Sequence, residues 1–224
     1  TTQFPATAYR VNNIGKSAGL VNGVYLKPGD VFDMNKLLGQ RTIARGWMAG
    51  GAIDGGKVVE RMGGGISQTT TTVYNASYFA GLEDIVHKPH SLWFNRYPMG
   101  REATLDWYSV QMRFRNDSKY GVLMQAWMDR SAGTVTVRVW STKVYDIVST
   151  KPVQSNFRAP AAPKKDPSPV CSPQSAKTGF TVRFNRQFWQ NGKLVKTEPQ
   201  KWTYNSLQAV TCTNPNARPD RQVR

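Results

Sequence analysis

Gly63-Gly64-Gly65-Ile66-Ser67-Gln68-Thr69-Thr70-Thr71-Thr72-Val73-Tyr74-Asn75-Ala76-Ser77-Tyr78-Phe79-Ala80-Gly81 is the stretch on which the reading of this chain turns. Three successive glycines permit backbone geometry that other residues resist. The segment before Gly81 is long enough for a helix of about 12 residues, and Gly81 is a natural stop. Its four threonines are stiff at χ1 and poor helix formers. A helix built from them is expected to be buried, or to have another task for its first turn. Glycines ahead of a helix also leave amide donors bare at its N-terminus, where an anion or a developing oxyanion is stabilised. Ser67 beside those donors reads either as a nucleophile or, more plainly, as an N-cap that accepts the orphan amides.

Upstream, residues 8–21 space apolar groups at helical intervals, ending near Asn22-Gly23. Val24-Tyr25-Leu26 then meets Lys27-Pro28-Gly29-Asp30, which is turn chemistry. Trp47-Met48-Ala49 and Lys57-Val58-Val59-Glu60 flank Asp54-Gly55-Gly56 as a hairpin. Downstream, residues 105–114, 120–129 and 133–140 alternate apolar and polar groups, as antiparallel strands do, with turns at Asn116-Asp117 and Ser131-Ala132-Gly133. Residues 159–173 carry five prolines and read as an extended linker. Phe180–Phe184 and Leu194–Thr197 flank Asn191-Gly192, a strong hairpin signal. The polar tail from Asn214 is expected to fray. The fold class that results is α+β: a mainly antiparallel sheet with a few short helices, plus a small C-terminal β extension.

Composition narrows the function classes. At 39% hydrophobic residues, with seven Trp, nine Tyr and nine Phe, this is a folded chain. No stretch approaches the ~18 apolar residues of a membrane span. Thr1 opens a polar segment rather than a signal peptide, so the chain reads as cytosolic or as the mature part of an exported protein. The formal net charge is +16, and residues 151–224 carry 13 Lys/Arg against 3 Asp/Glu, so the C-terminal third attracts polyanions. No zinc-finger or RNP-like motif accompanies the charge, which sets nucleic acid aside as a partner. Cys171 and Cys212 bracket two strand-like runs. A disulfide between them closes a loop of about 40 residues, stabilises by roughly 4 kcal/mol and places the chain in an oxidising, extracytoplasmic compartment. His87 and His90 are the only histidines. A proline lies between them and no CxxC or HExxH is present, so no metal and no cofactor is expected. His90 is the candidate general base or acid, against the alternative of a hydrogen-bonded structural histidine. Trp47, Trp93 and Trp107 are expected in the core.

At this point the sequence resembles the VanW family. The matching residues are Asn13-Ile14, Asn22-Gly23, Pro28-Gly29-Asp30-Val31-Phe32, Asn35, Leu38-Gly39, Gly63–Gln68, Thr71–Ala76, Gly81-Leu82-Glu83, His90-Ser91, Tyr97, Gly100, Ala103-Thr104, Phe114 and Asn116, over about residues 9–140. The resemblance implies a bacterial, envelope-acting protein, secreted and cell-wall associated. It also implies that some members are peptidoglycan transpeptidases making 3-3 crosslinks with a cysteine, where this chain has Ser67. The family often shows Asp where Glu102 and Gln111 stand. On this basis residues 1–145 form a VanW-like domain and 146–224 a basic extension. Peptidoglycan or another anionic wall polymer is the expected partner. Ser67 and His90 are the catalytic candidates. Gly64, Gly65, Gln68, Thr71, Asn75, Arg96 and Arg101 are the candidates for oxyanion and ligand binding, with the two arginines placed to read stem-peptide carboxylates. The alternative is a noncatalytic peptidoglycan-binding module that has lost the nucleophilic cysteine.

Overall fold

The computed structural model describes residues 1–54 and 57–217. Along the chain run β1 (Thr2–Gln3), α1 (Ala8–Val21), β2 (Tyr25–Leu26), β3 (Val31–Asp33), α2 (Met34–Leu38), β4 (Ala49–Asp54), β5 (Lys57–Met62), α3 (Ser67–Phe79) and β6 (Glu83–Val86). There follow β7 (Arg113–Arg115), β8 (Val122–Asp129), β9 (Thr134–Trp140), β10 (Asp146–Ser149), β11 (Val153–Arg158), β12 (Lys164–Asp166), β13 (Gly179–Gln190), β14 (Lys193–Tyr204) and β15 (Val210–Cys212). The α+β expectation holds, with strands outweighing helices. The Gly55-Gly56 turn and the tail beyond residue 217 lie outside the described residues.

Four strands in the order β1-β9-β8-β2 form the central antiparallel sheet. On β8 the residues Val122, Met124 and Ala126 are buried while Leu123, Gln125 and Trp127 are exposed, the period-2 alternation of a sheet with one wet face. Helix α1 covers the dry face with Ile14, Ala18 and Val21, spaced as one helical stripe. Helix α3 is buried on nearly every side, which explains its threonines. Thr70 and Thr72 donate their hydroxyls back to Ile66 O and Gln68 O, at 3.0 and 2.8 Å. Thr69 is bonded by the Ser17 hydroxyl at 2.7 Å. Each buried threonine hydroxyl thus has a partner, and small β-branched residues allow the close approach.

The strand expected over 105–114 is not formed as such. Only Arg113–Arg115 is a strand, and it lies between β3 and β6 rather than beside β8. The cause is Asp106. Its carboxylate accepts from Tyr108 N, Ser109 N and the Ser109 hydroxyl at 2.8–3.0 Å, and this local capture closes a turn where alternation predicts extended chain. Asn116 likewise leads from one sheet to another, its amide donating to Leu26 O and Tyr120 O. The proline-rich linker is also more structured than expected, since β12 pairs in parallel with β15.

The C-terminal part is built on the long β13–β14 hairpin, with Asn191 and Gly192 both at positive φ as its two-residue turn requires. Cys171 and Cys212 form the expected disulfide, with Cα atoms 5.7 Å apart. Phe180, Val182, Phe184 and Tyr204 join the same hydrophobic cluster as Ile14, Val73 and Phe114. A buried arginine anchors the hairpin to α3. Arg186, 1% exposed, lies between the rings of Tyr78 and Phe188. It donates to Tyr78 O in the helix's last turn, to Leu82 O just beyond it and to Glu198, so a buried cation meets carbonyls at the helix's negative end. Arg186→Ala is expected to cost about 3 kcal/mol or more, because those carbonyls and Glu198 lose their buried partner; urea unfolding monitored by tryptophan fluorescence measures it.

Candidate functional site

The glycine turn is shaped by three separate constraints. Gly63 and Gly65 sit at φ +76° and +87°, which L side chains resist. Gly64 lies against β4, where a Cβ would come within 2.3 Å of the Gly50 carbonyl group. Buried Asn13 clamps this approach, its amide donating to Met48 O and Gly64 O at 2.8 and 2.9 Å while its oxygen accepts from Met48 N. The amides of Gly63 and Gly64 are already used, donating to Met48 O and Arg61 O. Those of Gly65 and Ser67 make no hydrogen bond among the described residues. The donors offered to a ligand are therefore at positions 65 and 67, and Gly64 contributes contact rather than an amide.

Ser67 is the first residue of α3, and the N-cap is Ile66, already in helical conformation. The capping role expected of Ser67 is thus absent, because the tight turn from Gly63 to Ile66 enters the helix through its own backbone bonds. Ser67 lines a cleft of about 1280 Å³, together with Gly63, Gly64, Gly65, His90 and Arg96. Among the described residues, five basic side chains (Arg10, Arg41, Arg61, Lys88 and Arg96) face one acidic one, Asp106, around its wall. The cleft therefore carries a positive potential suited to carboxylates. Arg41 is a framework cation, bonded to Asn35 Oδ1 and Gly39 O. Burial lowers its pKa, with Asp106 acting in the opposite direction. Arg10 passes directly over Gly65, where a Cβ would lie 3.3 Å from its Cγ. Arg96 stacks over Phe94 and Tyr97, 4.9 Å from each ring.

His90 is held from three directions. Its ring stacks on Tyr97 at 5.2 Å and 8° and meets Phe94 edge-on. Its Nδ1 bonds Glu102 Oε2 in a close contact, and Glu102 is fully buried. The other Glu102 oxygen accepts from the Tyr204 hydroxyl. Trp202 Nε1 donates to the His90 carbonyl at 2.9 Å. A carboxylate on Nδ1 selects the tautomer whose Nε2 accepts a proton, the arrangement of a positioned general base. Among the described residues His90 and the Ser67 hydroxyl share no hydrogen bond, although both line the cleft.

The remaining predicted residues lie elsewhere. Gln68 and Thr71 are fully buried: Gln68 Oε1 accepts from Tyr97, and Thr71 bonds both backbone groups of Ala103. Asn75 donates to Thr71 O and Arg101 O. These three fasten the 97–103 segment, which carries Glu102, to α3. Arg101 packs over Tyr78 and Phe79 and lines a separate cavity of about 490 Å³. Of the tryptophans expected in the core, Trp47 is buried, but Trp107 is 39% exposed at the cleft rim. Glu102, Tyr97, Arg10 and Tyr204 were not legible as site residues, since nothing local to them signals a carboxylate–imidazole pair.

Residues 9–140 match the family described as VanW like protein. The chain belongs to the VanW-like family. It is also similar to the uncharacterized protein YoaR of Bacillus subtilis (strain 168), 30% identical over 166 residues, which are 74% of this chain and 52% of YoaR. The chain thus spans about half the length of that relative. No solved structure matches. The VanW-like segment holds the glycine turn, Ser67, His90 and Glu102, whereas Trp202 and Tyr204 lie beyond it. The steric and conformational roles of the turn separate by mutation. Gly64→Ala should lose about 3 kcal/mol or more through the clash with Gly50, and Gly65→Ala only about 1–2 kcal/mol through its left-handed φ; urea midpoints check both.

Proposed function

We propose that the cleft binds peptidoglycan stem peptides outside the cytoplasm and transfers their acyl groups. Family membership and the Cys171–Cys212 disulfide point to an extracytoplasmic protein, and among the described residues no helix is long and apolar enough to cross a membrane. The observation that carries the reading is the pair of buried Glu102 and partly buried His90, opening on a cation-lined cleft beside two unused amides. In this scheme the Ser67 oxygen attacks the carbonyl carbon of a stem amide, and its proton passes to His90 Nε2. The tetrahedral oxyanion is received by the N–H groups of Gly65 and Ser67. Collapse breaks the C–N bond, and His90 returns the proton to the leaving amine. An incoming amine then resolves the acyl-serine to a crosslink, or water resolves it to a free carboxylate. Arg10 and Arg96 pair with the stem carboxylates. Exposed Lys193 and Lys201 on the hairpin favour adhesion to anionic wall polymers.

A second reading keeps the binding and drops the chemistry. It is favoured by the absent Ser67–His90 hydrogen bond and by a serine standing where the family's resembling motif has cysteine. A hydroxyl starts too high in pKa for a helix N-terminus alone to ionise it, unlike a thiol. Incubation of the purified chain with defined muropeptides decides between them. Acyl transfer predicts a covalent adduct on Ser67 by mass spectrometry. It also predicts turnover abolished in Ser67→Ala with binding retained, and kcat lowered about 10²–10⁴-fold in His90→Gln. Binding by the wild type with product formed only by Ser67→Cys would establish the noncatalytic module. No binding by any form would remove both readings.

A further inference from the structure

We infer that the C-terminal β extension is part of the site, with Tyr204 and Trp202 as positioning residues for the His90–Glu102 pair. The inference rests on the reading of His90 as the proton carrier, and its geometry is independent of the substrate. Three positions at the end of β14 grip the loop that carries the pair. Tyr204, fully buried, donates its hydroxyl to Glu102 Oε1 and accepts from Gly100 N at 2.8 Å. Trp202 donates to His90 O, and Asn205 N donates to Ser91 O at 2.7 Å. Gly100 leaves no room for slack, because a Cβ there would come 2.4 Å from the Phe184 ring of β13.

The chemistry of this contact is directional. Burial and the adjacent Glu102 carboxylate push the Tyr204 phenol far above its ordinary pKa, so it stays a donor. A buried carboxylate with one oxygen held by this donor has the other left for a single partner, the imidazole Nδ1–H. The two donors together supply the charge-assisted hydrogen bonds that replace water around Glu102. All of the gripping residues lie after residue 140, where the family match ends. The glycine turn, the serine, the histidine and its direct ring partners Tyr97, Phe94 and Glu102 therefore belong to the VanW-like segment, while the residues that brace Glu102 and the His90 carbonyl come from outside it.

The test uses the full chain, with Tyr204→Phe and Trp202→Phe, and reads ring-nitrogen NMR resonances. There are two histidines. His87 is held by Asp84 at 2.7 Å and stacked on Tyr74 at 4.0 Å, so it serves as the internal reference. In Tyr204→Phe the two ring-nitrogen resonances of His90 are expected to move toward each other as the pinned tautomer is lost, with those of His87 unchanged. Muropeptide turnover should fall about tenfold in kcat with KM held, the fold-change of one lost charge-assisted hydrogen bond. Should Tyr204→Phe unfold, the same readout on Trp202→Phe decides. His90 resonances identical to wild type in the folded variants would overturn the positioning role, whatever the activity. A shift of His90 in a protein that never turns over muropeptides would uphold the positioning and sink the acyl-transfer reading alone.

Discussion

A fully buried carboxylate is the point on which this structure turns. An ion taken out of water costs several kcal/mol even after relaxation, unless hydrogen bonds replace the lost solvation. Glu102 meets that demand with His90 on one oxygen and Tyr204 on the other. The donors lie 12 and 102 residues from it in sequence, and each comes from a different part of the fold. The loop carrying His90, the 97–103 segment and the end of β14 must therefore sit together for the charge to be tolerated. Removing either donor leaves the Glu102 charge undercompensated in an apolar surrounding, so the arrangement is stiff for the same reason that it is costly.

The glycine turn shows how structural and chemical demands coincide at one place. Gly64 is needed because the backbone of β4 passes against it, and Gly63 and Gly65 because their φ values are left-handed. None of these reasons invokes a ligand. The consequence is nonetheless that the chain enters α3 without a side-chain cap, with the amides of Gly65 and Ser67 unused beside a positive cleft. Buried Asn13 holds the turn and β4 in this relation through three hydrogen bonds. Residues that looked like ligand contacts, Gln68, Thr71 and Asn75, belong to the same framework from the other side: they tie α3 to the segment bearing Glu102.

Periodic signals were the ones that translated directly. Helix α1 has a stripe of apolar residues, β8 and β9 alternate, and the Asn191-Gly192 turn demands positive φ at adjacent positions; each reflects backbone geometry acting over a few residues. The 105–114 segment misled because Asp106 competes for nearby amides more strongly than the alternation of its neighbours directs the chain. Trp107, read as core, lies at the cleft rim because that turn carries it outward. Ser67 and His90 stood out by residue type, and the fold does bring both to one cleft.

The sequence alone determined the local pieces: the helix behind the glycines, the hairpins, the cysteine pair and the surplus of positive charge. It determined them because each depends on residues within one or two turns of chain, or on composition. Tertiary structure decided that Glu102 is buried, that it holds His90, and that the C-terminal extension reaches back to hold Glu102. Those facts depend on contacts outside any local periodicity, from His90 to Glu102 at a separation of 12 to Tyr204 to Glu102 at a separation of 102. A carboxylate's burial is set by what packs around it, and no local pattern records that.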